Sequence, residues 1–437
     1  MDPVVRIATD GGVAIVTIDN PPVNALSAAV REQLDAAFDR VASDPETRAV
    51  VVTGAGRAFV AGADIKELER VAATHGAKLA SFHRFLQKIE DSAKPVVMAV
   101  NGACVGGGNE LAMAGHYRLA APGAQFGQPE VNLGLIPGAE GTQRLPRLAG
   151  VAAALDLCVS GKSIGAEEAL ALGWIDRVVA GDLLAEAVAF ASQMADRGAI
   201  RKTSELNEKL SVSNPTMFDA AREVARRARP NQIAPLRVVD AIEAAITLSF
   251  TEGAKREREL FDACIASDQA RALIYYFFAE RGVAKFNEGS GDIRLIEAPS
   301  GRLVEIVNGT AAALAQVKKA GKIGVVVNTP VGERVMEACR AEARSLIAEG
   351  TTARHINSAL IEFGMTTAIL SDDADESDTS DVTASEIVAR CLRAMANEGN
   401  KLLSAGAAAR AADMDVILVA GYGFPAYRGG PMWYAEH

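Results

Sequence analysis

Two glutamates and a run of glycines are the residues of this sequence best suited to catalysis. Gly106, Gly107 and Gly108 precede Glu110, and Glu130 follows downstream in a Gly-Gln-Pro-Glu segment. Glycines let backbone N–H groups approach a ligand, and a helix that begins there adds a positive dipole end, so the site suits an oxygen atom that gains negative charge. Carboxyl groups beside apolar residues can have raised pKa values and serve as acid and base. The pattern predicts an acid–base pair next to an anion-stabilising loop.

A plainer, structural interpretation of the same residues stands beside this one. Glycines after a strand commonly mark a turn, and a glutamate in a first helical turn commonly interacts with the helix dipole. A second glycine-containing loop, from Gly54 to Glu67, makes the catalytic interpretation more specific. Each loop follows a short apolar run, at 49–53 and 95–100, and leads into helical sequence, which begins near Asn109 after the second run. Repeated units of this kind predict an α/β fold with the working loops at strand ends.

The N-terminal segment predicts a β-hairpin followed by a helix. Residues 4–9 and 13–18 are rich in β-forming residues and flank an Asp-Gly-Gly turn, which is a hairpin signal. Ser27 and Asp64 are each suitable N-caps for the helices that follow them. The buried face of the helix after Ser27 is predicted from apolar residues at helical spacing, namely Val30, Leu34, Phe38 and Val41.

Length and composition limit the class of protein. The 437 residues predict two or three domains, and the 49% hydrophobic and 23% charged residues are those of a soluble globular protein. A net charge of −10 argues against general nucleic-acid binding. No segment has the pattern of a signal peptide or a membrane span, so we expect a cytoplasmic protein. The five cysteines lack CxxC spacing and the five histidines lack metal-ligand spacing, so we predict neither a metal site nor a disulfide framework, and interpret Cys104 as a buried filler.

The first half of the chain contains three ordered blocks of distinctive sequence: AFVAGADIKE, NGACVGGGNELAMA and AQFGQPEVNLGLIPGAEGTQRLPRL. Together they resemble the enoyl-CoA hydratase/isomerase (crotonase) superfamily. The resemblance implies an α/β fold in which repeated ββα units wind into a spiral. It also implies a CoA thioester as the substrate.

The resemblance implies roles for individual residues. Glu110 would orient or deprotonate water, and Glu130 would deliver the proton to C2 of the thioester. The backbone N–H groups of Ala63 and Gly107 match the family's oxyanion hole. Three more positions match substrate-binding residues: Ala61, whose carbonyl would accept from the adenine amine, Ile65 in the CoA channel, and Gly138 in the loop that closes over the thioester. Glu140 departs from the glycine that is frequent in single-function hydratases.

The later sequence resembles other parts of multifunctional β-oxidation enzymes in an incomplete form. NAD binding in that family requires a strand, then GxGxxG, then a helix, and the chain contains no such order. After the first half it resumes, at residues 302–307, near the far end of where a dinucleotide-binding domain would stand. The family's catalytic histidine is missing from residues 293–301, and Glu333 stands where its catalytic asparagine is expected. The resemblance therefore implies that the NAD site is absent and that a mainly α-helical region, similar to incomplete 3-hydroxyacyl-CoA dehydrogenase C-terminal domains, follows the spiral.

These observations predict a chain of six segments. They are a crotonase-like hydratase/isomerase domain (1–200), a helical extension packing on it (201–282), a linker (283–310), a helical dehydrogenase-like remnant (311–370), an acidic linker (371–383) and a second helical dehydrogenase-like remnant (384–437).

The predicted function is hydration of 2-trans-enoyl-CoA to 3-hydroxyacyl-CoA in fatty-acid β-oxidation, with 3,2-enoyl-CoA isomerisation as a second reaction open to the same glutamates. We expect no metal and no redox cofactor, no nucleic acid, and a homo-oligomer or a thiolase as a partner. Two alternatives stay open. One is a bifunctional 3-hydroxyacyl-CoA dehydrogenase, which the absent nucleotide motif opposes. The other is a non-catalytic CoA-binding or assembly subunit, which the retention of both glutamates opposes.

Overall fold

The computed structural model describes residues 3–74, 82–211, 214, 216–283, 292–371 and 380–437. The chain divides into two compact units, Met1–Ser267 and Asp268–His437, and each is described by itself. Within the described ranges, no helix has the length and apolar character needed to cross a membrane.

The described part of the first unit combines short strands with helices. The strands are β1 (Val5–Asp10), β2 (Val13–Ile18), β3 (Ala49–Gly54), β4 (Ala58–Ala61), β5 (Val96–Val100), β6 (Ala103–Val105), β7 (Tyr117–Ala120), β8 (Gln125–Gly127), β9 (Ser163–Gly165) and β10 (Arg177–Val178). The α-helices are α1 (Ala28–Ser43), α2 (Ile65–Ala73), α3 (His83–Glu90), α4 (Gly107–Ala114), α5 (Gly141–Ala149), α6 (Val151–Ser160), α7 (Ala166–Ala171), α8 (Leu183–Asp196), α9 (Met217–Ala228), α10 (Ala234–Thr247) and α11 (Phe250–Ile265). Two 3-10 helices span Glu130–Leu133 and Thr203–Glu205.

The strands of the first unit alternate between two sheets. A six-stranded sheet has the order β1-β2-β3-β5-β7-β10, and a four-stranded sheet has the order β4-β6-β8-β9. Each of the pairs β3/β4, β5/β6 and β7/β8 therefore places its first strand in the large sheet and its second in the small one. Within each sheet these neighbours run parallel. This arrangement confirms the predicted spiral of ββα units.

The local predictions for the N-terminal segment are also confirmed. β1 and β2 pair antiparallel, and Gly11 and Gly12 between them have φ angles of +54° and +80°, which glycine adopts without strain. Ser27 caps α1 by accepting from the N–H of Val30. Asp64 caps α2 by accepting from the N–H of Lys66 over 3.0 Å. The predicted face of α1 is buried: Val30, Leu34, Phe38 and Val41.

Helices α9 to α11 belong to the first unit, where α10 packs on α5 and α6, and α11 packs on α5 and α2. Residues 268–282, which the sequence analysis placed in the same extension, form a helix of the second unit instead. The reason is tertiary packing, because the Tyr275 hydroxyl of that helix donates to Asp415 over 2.7 Å. Helix propensity alone carries no information about which unit a helix joins.

The described part of the second unit is a small sheet covered by helices. Its elements are α12 (Asp268–Gly282), β11 (Arg294–Glu297), β12 (Leu303–Val307), α13 (Ala311–Lys319), β13 (Ile323–Val327), α14 (Gly332–Ala348), α15 (Ala353–Phe363), α16 (Ala384–Ser404), α17 (Ala411–Tyr422), a 3-10 turn (Ala426–Arg428) and α18 (Pro431–Glu436).

The second unit differs from the sequence-based segmentation in two respects. Strands β11 and β12 lie within the segment predicted as a linker (283–310), and they form a three-stranded sheet of order β11-β12-β13. The two predicted helical remnants share one core, since α14 packs along α16. Of the predicted linkers, residues 284–291 and 372–379 lie outside the described residues.

Candidate active site

Three loops of the small sheet converge because their strands are parallel neighbours. β4, β6 and β8 lie side by side, so their carboxyl ends meet at one edge of the sheet. Ala63 follows β4, Gly107 follows β6, and Glu130 follows β8. Three loops that are separate in the sequence thus lie together at one site.

The backbone N–H groups of the predicted oxyanion hole lie next to each other. A Cβ atom on Gly107 would stand 3.6 Å from the Ala63 nitrogen and 3.8 Å from Oε2 of Glu110. Helix α4 begins at Gly107, two residues before the predicted start, and a first-turn N–H has no acceptor within its own helix. Both N–H groups and the Glu110 carboxylate therefore border the same small space.

The other two glycines of the run are explained by packing. Gly106 has a φ of +56°, and a Cβ on it would stand 2.9 Å from Oε1 of Glu130. A Cβ on Gly108 would stand 2.1 Å from the carbonyl oxygen of Val60. The structural interpretation of the glycines therefore applies to Gly106 and Gly108, and these positions let β4 and Glu130 approach α4 closely.

Glu110 is buried and held by the loop that precedes α5. It is 4% exposed, and its Oε1 accepts from the N–H groups of Ala139 at 2.7 Å and Gly141 at 3.2 Å. Burial raises the pKa of Glu110 to about 7, while these two donors act in the opposite direction and the charge of Glu140 adds to the rise. Glu110 is thus a carboxyl group that titrates near neutral pH.

Glu130 is the more strongly perturbed of the two carboxyl groups. Its Oε2 is buried and has no hydrogen-bond partner among the described residues. In the orientation of the Gln128 amide that satisfies its neighbours, the Gln128 side-chain nitrogen donates to Oε1 of Glu130 over 3.3 Å. Burial, followed by the negative charge of Glu110, raises the pKa of Glu130 well above its usual range. Because the charge of Glu110 raises the pKa of Glu130, the pair favours a state in which Glu130 holds a proton while Glu110 is ionised.

The structure also places the predicted substrate-binding residues. Ala61 ends β4, where it pairs with Val105 of β6, and Ile65 opens α2; both are partly exposed. Gly138 precedes α5 and packs against α11, because a Cβ on it would stand 2.3 Å from the Phe261 ring. Ala61 and Ile65 therefore lie on the same β4–α2 connection as Ala63, whereas Gly138 belongs to the loop that holds Glu110.

Sequence reasoning missed two features around this loop. Glu257 of α11 is fully buried and accepts from the N–H groups of Glu140 and Thr142. Buried Arg144 pairs with Glu90 over 2.6 Å and with Glu140 over 2.5 Å, so the unusual Glu140 has a cationic partner inside the protein. One signal could have identified Glu257: it stands on the apolar stripe of α11, in register with Leu260, Phe261 and Cys264.

The alternating parallel sheets, the N–H pair and the two glutamates match the pattern of a crotonase-type site. The model of the enoyl-CoA hydratase/isomerase family matches residues 8–227. The chain belongs to this family.

Curated relatives match this chain over part of their own length. The peroxisomal bifunctional enzyme of Danio rerio is 42% identical over 280 residues, which are 64% of this chain and 38% of that protein. The peroxisomal fatty acid beta-oxidation multifunctional protein AIM1 of Arabidopsis thaliana is 35% identical over 350 residues, 78% of this chain and 48% of that protein. The match therefore covers less than half of each of these relatives. The solved structure of EchA1_1 from Mycobacterium paratuberculosis is 30% identical and covers 63% of this chain and 95% of that one, with a TM-score of 0.47.

Proposed function

We propose that this chain hydrates 2-trans-enoyl-CoA to 3-hydroxyacyl-CoA as a step of fatty-acid β-oxidation. The observation that carries the proposal is the juxtaposition of the buried Glu110 carboxyl group, and of Glu130 with its buried Oε2, with the N–H groups of Ala63 and Gly107. Enoyl-thioester hydration needs a polarised carbonyl, a base for water and an acid for the α-carbon. The site supplies one group for each need.

The environments of the two glutamates support different roles. Glu110 accepts two N–H hydrogen bonds, which favour its ionised form, so it takes the proton of water while the water oxygen attacks C3. Glu130 has a buried oxygen without a donor, which favours its protonated form, so it delivers its proton to C2. The reaction adds one water, and the site is restored when the proton on Glu110 moves to Glu130.

The N–H groups of Ala63 and Gly107 would act on the thioester oxygen. As C3 is attacked, negative charge builds on this oxygen, and fixed donors that face it stabilise the enolate-like state. Losing one such donor costs about 3 kcal/mol in other enzymes. The same two carboxyl groups could carry a proton between C4 and C2 without water, which is the proposed 3,2-isomerisation.

The proposal includes no metal and no redox cofactor, since both carboxyl groups and both N–H donors come from the chain itself. Among the described residues, no group of three or more His, Cys, Asp or Glu side chains is placed to hold a metal ion. The expected homo-oligomer or thiolase partner stays a prediction. The cytoplasmic location also stays a prediction. A peroxisomal location competes with it, because the relatives named above are peroxisomal by name.

One assay distinguishes this function from its alternatives. Purified protein is mixed with crotonyl-CoA or with a longer 2-enoyl-CoA, and the loss of the conjugated enoyl-thioester absorbance is followed, with the product identified by mass. We expect rapid loss and a product heavier by one water. NADH formation from 3-hydroxyacyl-CoA and NAD⁺ would favour the dehydrogenase alternative. Thioester binding without turnover would favour the non-catalytic subunit.

A further inference from the structure

Four consecutive backbone N–H groups connect two buried carboxylates. The N–H groups of Ala139 and Gly141 donate to Oε1 of Glu110, at 2.7 and 3.2 Å. The other two N–H groups point in the opposite direction. The N–H of Glu140 donates to Oε1 of Glu257 at 2.6 Å, and the N–H of Thr142 donates to Oε2 of Glu257 at 2.8 Å. One short turn is therefore fixed from both sides, by α4 and by α11.

The backbone conformation makes this alternation possible. Glu140 has a φ of +69°, a left-handed conformation that reverses the chain between its two neighbours. Gly141 cannot carry a side chain there, since a Cβ would stand 2.8 Å from Oε1 of Glu110. Gly138 at the start of the turn packs on the Phe261 ring of α11. The position of the turn therefore depends on its hydrogen bonds to both α4 and α11.

In the part of the chain that the structure describes, the Glu257 side chain accepts hydrogen bonds from this turn only. Its side chain is fully buried, its third donor is the Thr142 hydroxyl at 2.5 Å, and the ion pairs of the described residues do not include it. A buried carboxylate without a cationic partner is stabilised only by such donors. A simple cap for the N-terminus of α5 would have the same contacts, so a test must separate capping from an effect on Glu110.

We propose that Glu257 is a positioning residue for Glu110: by holding the N–H groups of Glu140 and Thr142, it fixes those of Ala139 and Gly141 and so sets the orientation and the proton affinity of the catalytic carboxylate. This inference rests on the proposed hydratase function. It extends the active site to helix α11, which lies beyond the glycine-rich blocks of the sequence.

The effect on the protonation of Glu110 has a definite sign. The titratable groups that act on Glu110 or respond to its charge are Glu130, Glu140, Glu257 and Cys158. Burial and the charge of Glu110 raise the pKa of Glu257 well above its usual range, so the change to Gln removes little negative charge. Displacing the turn, in contrast, removes two N–H donors bound directly to Glu110. The direct donors dominate, so the pKa of Glu110 rises when Glu257 no longer holds the turn.

The test compares Glu257→Gln with Glu259→Gln, a change of an exposed glutamate on the same helix. In Glu257→Gln the amide nitrogen faces a backbone N–H, so the turn is pushed away. We expect kcat for a 2-enoyl-CoA to fall by about 10- to 100-fold, with KM changed far less and the acid limb of the kcat–pH profile moved to higher pH. Glu259→Gln should match the wild type in all three. An unchanged kcat would overturn the inference. So would a smaller amount of active protein whose kcat–pH profile keeps its acid limb at the wild-type pH.

Two further measurements keep the outcome interpretable. If Glu257→Gln does not fold, Thr142→Ala removes the hydroxyl that donates to Glu257 and accepts from the Gln143 amide. It should give a smaller fall in kcat with the same direction of shift, and no shift would contradict the inference. If the wild type does not hydrate enoyl-CoA, the hydratase proposal fails, and infrared titration of the protonated Glu110 band, assigned by its loss in Glu110→Gln, still reads the shift. An unshifted band in the Glu257 or Thr142 variant would then reject the positioning role.

Discussion

The backbone N–H of Ala139 donates to Oε1 of Glu110 over 2.7 Å, which connects the proposed catalytic side chain of α4 to the loop before α5. The loop is packed in turn on α11 through Gly138 and Phe261. A helix that follows the family's sequence blocks by about a hundred residues thus contributes to the site. Changes in this contact should alter the reaction without touching the glycine-rich loops.

Gly138→Ala should displace the loop, because the new Cβ would stand 2.3 Å from the Phe261 ring. Overpacking of this kind destabilises proteins by about 1–3 kcal/mol. We expect lower stability in urea and a lower hydration rate. Gly123→Ala is the matched control, since a Cβ there meets nothing within 4 Å.

A second change separates packing from other effects at Gly138. Adding Phe261→Leu to Gly138→Ala opens space beside the new methyl group and should recover part of the lost activity. Independent, additive losses in the double variant would contradict direct contact between the two positions.

The stability of the protein should depend on the protonation of Glu110. Its pKa is raised from 4.5 to about 7 in the folded state, so between these pH values the folded protein binds more protons than the unfolded chain. The free energy of unfolding should therefore fall as pH rises from 4.5 towards 7 and then level off, by about 1–3 kcal/mol.

Urea unfolding of the wild type and Glu110→Gln at pH 5 and pH 8 measures how much the protonation of Glu110 contributes to stability. The stability of the variant relative to the wild type should be greater at pH 8 than at pH 5, because glutamine has no proton to lose. A difference between the two proteins that is constant with pH would show that Glu110 titrates normally.

The C-terminal part of the second unit should depend on Asp415. This fully buried carboxylate accepts from the Tyr275 hydroxyl at 2.7 Å and from the N–H groups of Met432 and Trp433 at 2.8 and 3.1 Å. Asp415→Ala would leave three donors without their acceptor, at a cost of about 1–3 kcal/mol for each buried group that stays unsatisfied. We expect a clear drop in the unfolding temperature of this unit.

Asp381→Asn is the control for Asp415→Ala, since Asp381 is exposed. Hydrogen exchange at Met432 and Trp433 localises the effect, and both amides should exchange faster in Asp415→Ala. Unchanged exchange would mean that α18 is held by other contacts.

Local signals predicted much of the first unit. The hairpin, the Ser27 and Asp64 caps and the buried strands depend on neighbouring residues, so they can be read from a few positions at a time. The approximate location of Glu110 and Glu130 followed from the order of their loops along parallel strands. The catalytic roles proposed for them rest on the family resemblance.

Long-range contacts account for what the sequence did not predict. Glu257 bonds to Glu140 and Thr142, 117 and 115 positions away, and no local pattern specifies such a pair. β12 lies in the segment predicted as a linker (283–310), and it contains a buried glutamate, Glu305. In the structure that carboxylate is satisfied by the N–H groups of Val331 and Gly332, a partner that only the tertiary fold provides.

The most direct test of the central claim is the rate of loss of enoyl-thioester absorbance for Glu110→Gln and Glu130→Gln beside the wild type. Each change keeps the shape of the side chain and removes its ability to transfer a proton, so each should slow hydration by about 100-fold or more, while thioester binding is largely kept. Glu167→Gln, at an exposed position of α7, should hydrate at the wild-type rate. A folded Glu110→Gln or Glu130→Gln variant that hydrates crotonyl-CoA as fast as the wild type would contradict the account.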